Sequence, residues 1–310
     1  MFLNSISLKH SSGIHFHSIS DKNPSQKNIQ TNCSNTFLFV FIFGVLFSFS
    51  PGRVMAQGNL LIIPRRVVFE GAKKSEELNI ANTGKDTATY IISVINIRMN
   101  EDGSFEQISE PDSGQSFAGS YLRFFPHKVT LAPNEGQVVK IQLTKTNELT
   151  SGEYRSHVYF RAVPDEKPLT EKEPAPAKDA EPIKVLLTPI FGITIPVIIR
   201  VGESSTKVKF SDLSFAMVND TIPAVNVTFN RTGNMSVYGG IKVDYISDDG
   251  KTTTVGNVKG IAVYTPNPKR RFQIQLAKEP GIDYHKGKLH ITYTTDVKTD
   301  KFTEGEIVLK

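Results

Sequence analysis

The chain has 310 residues, 39% of them hydrophobic and 22% charged, with 36 basic against 31 acidic side chains, a formal net charge of +5, one cysteine and no tryptophan. That length accommodates two domains of ordinary size, and one cysteine excludes an intrachain disulfide framework. Much of the basic excess belongs to the first fifty-six residues, which do not read like the rest.

From Phe37 to Phe49 the sequence runs FLFVFIFGVLFSF without a charge, then Pro51-Gly52 and Val54-Met55-Ala56. This is the h-region and small-residue cleavage site of a secretory signal. Thirteen helical residues reach about 20 Å, short of the roughly 30 Å hydrocarbon core, so a permanent span is disfavoured. Residues 1–56 are therefore expected to be a signal peptide removed on export. Lys9, Lys22, Lys27, Arg53 and Asp21 leave with it, so the remaining 254 residues carry 32 basic against 30 acidic side chains, a net of +2. Such a balance gives no nucleic-acid footprint. Cys33 leaves as well, which excludes disulfides, thiolate–zinc sites and cysteine nucleophiles from the mature chain. No lipid-attachment cysteine follows the h-region, and a soluble exported protein is expected.

The mature chain reads as strands nearly throughout. Leu60–Ile63, Val67–Phe69, Glu77–Ile80, Tyr90–Ile95 and Val138–Leu143 are short and rich in β-branched residues, separated by turn formers such as Asn82-Thr83-Gly84, Asp102-Gly103 and Pro133-Asn134-Glu135-Gly136. No window of a dozen residues carries a helical stripe. The fold class is all-β, and this strand spacing favours tandem immunoglobulin-like sandwiches of about 100 residues each.

Pro164 to Pro182 interrupts the pattern with five prolines and nine charged residues in nineteen, and Leu169 as its only large apolar side chain. It cannot bury enough surface to repay its ordering entropy and reads as a long mobile loop. Only about six strands precede it, one short of a sandwich, so it is read as a loop within the first domain (57–202) rather than a linker. The missing strand follows at 183–201, IKVLLTPIFGITIPVIIRV. Its odd positions, including Ile183, Val185, Leu187, Phe191, Ile193 and Ile195, form one apolar face. Pro189 and Pro196 differ in parity, so each removes a donor from a different edge, and regular pairing along both edges is not expected. The segment reads either as a bent core strand at the domain junction, or as a strand whose exposed edge and apolar face pair with another protein by β-augmentation.

The second domain, 203–310, offers seven candidate strands: 210–217, 224–230, 237–246, 252–263, 272–276, 288–294 and 306–309. Asp248-Asp249-Gly250-Lys251 is a hairpin turn. Nothing in either domain spells catalysis. His127, His157, His285 and His290 show no metal-ligand spacing, Ser156 and His157 point to opposite strand faces, and the pairs Glu76-Glu77 and Asp248-Asp249 read as solvated. No cofactor and no metal are expected, and the protein is read as a non-enzyme.

Four ordered pieces carry a resemblance: RRVVFEG (65–71); LNIANTG (78–84); YLRFFP (121–126) with LAPNE (131–135); and YRSHVYFRAVP (154–164). Over residues 59–201 they resemble the first domain of the periplasmic pilus-assembly chaperones. The resemblance implies two immunoglobulin-like domains, a periplasmic location, and capping of an exported pilin-like subunit by a donated strand preceded by a variable loop. It makes Leu187 and Phe191, with Val185, donor side chains. It also places Arg66 at the family's arginine, which with a lysine holds the subunit's terminal carboxylate in the interdomain cleft; charge-assisted, bidentate hydrogen bonding explains that choice of residue. The chain departs from the pattern at the lysine, whose position falls on Pro196. A structural or adhesive immunoglobulin-like envelope module without chaperone activity is the alternative, since fold does not imply function.

Overall fold

The structure, a computed structural model, describes residues 59–164, 190–295 and 301–310. The expected signal peptide, nearly all of the proline-rich loop and the donor candidates Val185 and Leu187 lie outside the described residues. Those described form β1 (Leu60–Ile63), β2 (Val67–Phe69), β3 (Ser75–Asn82), β4 (Ala88–Ile95), β5 (Ile97–Met99), β6 (Phe105–Gln107), β7 (Leu122–Phe125), β8 (Lys128–Leu131), β9 (Gly136–Leu143), β10 (Gly152–Val163) and β11 (Gly192–Val201). There follow β12 (Lys207–Val218), β13 (Ile222–Thr232), β14 (Val237–Ile246), β15 (Thr252–Val263), β16 (Lys269–Gln275), β17 (Lys288–Thr295) and β18 (Lys301–Val308).

The strands build two immunoglobulin-like sandwiches. In the first, sheet β1-β3-β9-β7 lies over sheet β2-β11-β10-β4-β8; in the second, β12-β13-β16 lies over β15-β14-β17-β18. Period-two alternation decides which side chains go inside. On β3 and β9, Leu78, Ile80, Val139 and Ile141 are buried, while Glu77, Asn79, Lys140 and Gln142 face water. From the facing sheet Phe69, Tyr90, Ile92, Val158, Phe160, Ile195, Val197 and Ile199 complete that core. Burial of each such side chain contributes roughly 1.5–3 kcal/mol. The chain changes sheets at Pro64, since β1 pairs with β3 and β2 runs parallel to β11.

All strands expected before the loop and all seven expected after it occur, within a few residues. The count of about six before the loop is corrected to ten. The missed pieces, β5 to β8, are three or four residues long, too short to show a period. The expected strand 183–201 is corrected at Ile190 and Phe191, since β11 begins only at Gly192. Ala162 N–H still donates to the Phe191 carbonyl at 2.9 Å, but no return bond closes that pair among the described residues, and the ladder stops.

The β5–β6 hairpin leaves the first sandwich and lies against the second. Asn267 Nδ2 donates to the Met99 carbonyl at 2.5 Å, and Arg271 N–H to the Glu101 carbonyl at 2.6 Å. Met99, Ile198, Ala262 and Tyr264 form a small buried cluster joining the two sandwiches.

Candidate functional site

β11 is paired along its whole length on one edge and only in part on the other. β10 pairs with it from Gly152↔Val201 to Arg161↔Gly192, whereas β2 covers only Val197–Ile199. The bond from Ala162 N–H to the Phe191 carbonyl fixes the phase of the ladder: odd-numbered β11 residues turn their N–H groups toward β10, and even-numbered ones toward the opposite edge. Pro196 therefore removes a donor from the outer edge and leaves the β10 ladder whole. The N–H groups of Gly192 and Thr194 point outward where no described strand pairs. At the entrance to this edge, Ile190 is 51% and Phe191 38% exposed. A Cβ at Gly192 would run into the Tyr159 ring, which would have to shift to admit it.

The face of this sheet opposite the core carries Arg66 just before β2, Pro196 and Arg200 on β11, and Glu153, Arg155, His157 and Tyr159 on β10. The second sandwich covers its 153–157 end. The Glu153 carboxylate is fully buried and accepts hydrogen bonds from Arg200 Nε (3.1 Å), Ser236 N–H (3.0 Å), Ser236 Oγ (2.7 Å) and Thr265 Oγ1 (3.3 Å). It joins one sandwich to the other through charge-assisted bonds.

Beside it, buried donors stand unused. Arg155, 2% exposed, donates through Nη2 to the Thr265 carbonyl at 3.3 Å, yet its Nε and Nη1 meet no acceptor among the described residues, and neither do Arg66 Nε and His157 Nδ1. Arg155 stacks on Tyr264, and Arg66 on Tyr238, each with Cζ 4.3 Å from the ring centre. Burial is the main force lowering the pKa of both arginines; guanidinium nonetheless stays charged. Burial, with the Arg155 charge second, pushes His157 down to about 3, so its imidazole is neutral at physiological pH. The junction between the sandwiches thus sets Arg66, Arg155 and Arg200 against the carboxylate of Glu153, the one buried carboxylate there among the described residues. Orphaned buried donors are costly and uncommon in folded proteins.

Arg66 and Pro196 lie on the face turned toward the second sandwich, and Phe191 just before the open edge of β11; Val185 and Leu187 are outside the described residues. Sequence reasoning missed Glu153, Arg155, Tyr238 and Tyr264. Ser156 and His157 do face opposite ways: Ser156 Oγ accepts from Ala118 and Gly119 N–H at 2.9 and 3.0 Å, while His157 faces the cleft. Among the described residues no three His, Cys, Asp or Glu side chains converge as a metal site would require.

No protein-family model matches the chain, and no curated protein matches it. Solved structures with a likeness to this chain include chaperones of pilus and fimbrial assembly. The CupB2 chaperone of Pseudomonas aeruginosa is 16% identical, with 81% of this chain and all of that one covered, at a TM-score of 0.40. The SafB chaperone, solved with the SafA pilin of Salmonella enterica, is also 16% identical, with 81% and 97% covered, at 0.36. The CsuC–CsuE complex of chaperone and tip subunit from Acinetobacter baumannii gives 10%, with 81% and 97% covered, at 0.38.

Proposed function

We propose that the protein is a non-enzymatic periplasmic chaperone that caps an exported, pilin-like subunit by strand donation. The observation that carries this reading is the half-covered β11: its outer edge offers the N–H groups of Gly192 and Thr194, and its apolar face runs out past Ile193 to the exposed Phe191. An unpaired strand edge is a template for another chain, and β-augmentation takes affinity from main-chain bonds and specificity from alternate side chains. Val185 and Leu187 share the parity of Phe191 and would continue the donated face.

The cleft supplies the proposed anchor. Arg66 would hold the client's terminal carboxylate. The second cation, absent at Pro196, would be Arg155, one strand over on β10 and facing the same cleft. Carboxylate oxygens would satisfy donors that otherwise stay buried and unpaired.

The test is crosslinking of tagged residues 57–310 in the native cell envelope, with mass spectrometry of the captured proteins, for wild type and Phe191→Asp. A small β-rich exported subunit recovered by wild type and lost in the variant is expected, because a carboxylate on the donated face would enter an apolar groove unpaired. Recovery of the same partners by both forms, or of no such subunit by wild type, would overturn the reading in favour of a structural envelope module.

A further inference from the structure

The outer face of the β12-β13-β16 sheet holds a polar groove of about 570 Å³, within the roughly 300–1,000 Å³ of small-molecule sites. A break in the ladder opens it. β12 and β13 pair in register up to Ser211↔Thr228 and resume at Ser214↔Asn226, so β12 carries one extra residue between those pairs. Leu213 packs against the core, while Asp212 is left exposed with φ at 53°. A residue other than glycine is held in the left-handed region only at a cost, and β-bulges recur where a strand re-aims a side chain at a site.

Two rows of side chains line the groove. In the first, Gln273 Nε2 donates to Asn226 Oδ1 at 2.8 Å, and Asn226 Nδ2 donates to Ser214 Oγ at 3.4 Å. This relay across three strands orients both amides, and it leaves the Ser214 hydroxyl proton at one end and Gln273 Oε1 at the other. The second row holds Asp212, Thr228 and Arg271. Asp212 accepts from Ser211 Oγ at 2.9 Å through Oδ2 alone, and Arg271 pairs with Glu101 at 3.2 Å through Nη2, so each keeps polar atoms to spare. Thr228, on the groove floor, is only 7% exposed, yet its hydroxyl has no hydrogen-bond partner among the described residues. A polar group so nearly buried is ordinarily satisfied.

The lining also limits what can bind. Asp102 and Asp212 stand with Arg271 in the same groove, so a small anion or a small cation would meet a repelling charge. Uncharged vicinal hydroxyl groups fit better, because each can donate to a carboxylate or amide oxygen and accept from a guanidinium, an amide or a hydroxyl. We infer that the second sandwich binds an uncharged saccharide in this groove, with its hydroxyl groups held by Asp212, Thr228, Asn226, Arg271 and Gln273. The site shares no residue with β11 or with the junction around Glu153, so it stands or falls independently of strand donation.

The experiment titrates residues 57–310 with chitotetraose, maltotetraose and inorganic phosphate, followed by saturation-transfer difference NMR and isothermal calorimetry. Saturable binding of at least one tetrasaccharide, with a Kd of about 1 mM or tighter, and no binding of phosphate are expected. A preference for chitotetraose would identify an amino-sugar glycan and a preference for maltotetraose a neutral glucan; either supports the site. Thr228→Val keeps the side-chain shape and removes the hydroxyl, Asp212→Asn removes the charge at a position asparagine also tolerates, and Gln273→Ala alters only an exposed position. Each should weaken saccharide binding about tenfold, the scale of one lost hydrogen bond in such a site, with the urea midpoint reporting that the fold is intact. The inference is overturned if neither tetrasaccharide binds saturably, if phosphate binds in their place, or if the three variants bind as wild type does.

Discussion

Removing the Glu153 carboxylate tests how the two sandwiches are joined. In Glu153→Ala, Arg200 loses the 3.1 Å bond from its Nε and its only ion-pair partner among the described residues, and keeps its 2.8 Å bond from Nη2 to the Ser236 carbonyl. Ser236 N–H, buried, loses its acceptor, as do the hydroxyls of Ser236 and Thr265. Breaking a buried ion pair from one side costs roughly 3–5 kcal/mol, and an orphaned buried N–H about 1–3 kcal/mol. These figures overlap, because both count the desolvation of groups the carboxylate had satisfied, so a total of about 4 kcal/mol is expected. The assay is urea unfolding of residues 57–310 by far-ultraviolet circular dichroism and tyrosine fluorescence, the chain having nine tyrosines and no tryptophan. The midpoint should fall, and the two sandwiches should unfold in separate steps once their link is cut. Glu153→Gln, which keeps an acceptor of the same shape and loses the charge, should land between the two. A loss below about 1 kcal/mol in Glu153→Ala would refute the reasoning, placing the adhesion in the Met99, Ile198, Ala262 and Tyr264 cluster instead.

Two further outcomes follow from the same face. The His157 pKa falls from 6.5 in the unfolded chain to about 3 in the folded one, so between those values the unfolded chain binds the extra proton. Stability from this group is complete above pH 6.5 and declines as pH falls toward 3, by about 2 kcal/mol at pH 5; His157→Phe should flatten that part of the profile, and an unchanged slope between pH 7 and 5 would show that other groups set it. Gly192→Ala drives a methyl into the Tyr159 ring and should lower the melting temperature, whereas in a Tyr159→Ala background it should cost little. A coupling of roughly 1 kcal/mol in that double-mutant cycle is expected, and simple additivity would refute the close approach.

How much of this was legible follows from what each residue's neighbours are. β3 and β9 could be read directly, because Leu78, Ile80, Val139 and Ile141 alternate with polar residues that do face water. The β5–β6 hairpin could not, because three residues a side show no period and its partners, Asn267 and Arg271, are more than 150 positions away in the chain. Glu153, Arg155 and His157 alternate with Tyr154, Ser156 and Val158 as the polar face of any half-buried strand does. Nothing local distinguishes that face from a solvated one; the second sandwich covers it, and only tertiary contact makes those charges buried. One signal was available: β10 places Glu153, Arg155 and His157 at three successive positions on one face, a dense polar row to leave beside a strand as apolar as β11.

The replacement of a cation by Pro196 and the presence of Arg155 are best understood together. His157 stands opposite Pro196 in the ladder, and Arg155 opposite Ile198. All four side chains share the face turned toward the second sandwich. A long cationic side chain at 196 would stand directly across from His157 and would add a fourth cation to Arg66, Arg155 and Arg200, with the Glu153 carboxylate alone among the described residues to offset them. Like charges so close in a partly desolvated cleft are unfavourable by several kcal/mol. With proline there, the charge sits on β10 instead, at Arg155, where β11 pairs one edge and the Arg155 N–H donates to the Ser116 carbonyl at 2.8 Å on the other. Proline also withdraws one N–H from the outer edge of β11 just before β2 takes up its pairing at Val197, so the edge is divided into a covered half and an open half at that residue. In the proposed reading a client strand can add only from Ile195 outward, and its terminus is directed toward the cleft where Arg66 and Arg155 lie. Pro196→Lys is therefore expected to weaken client capture.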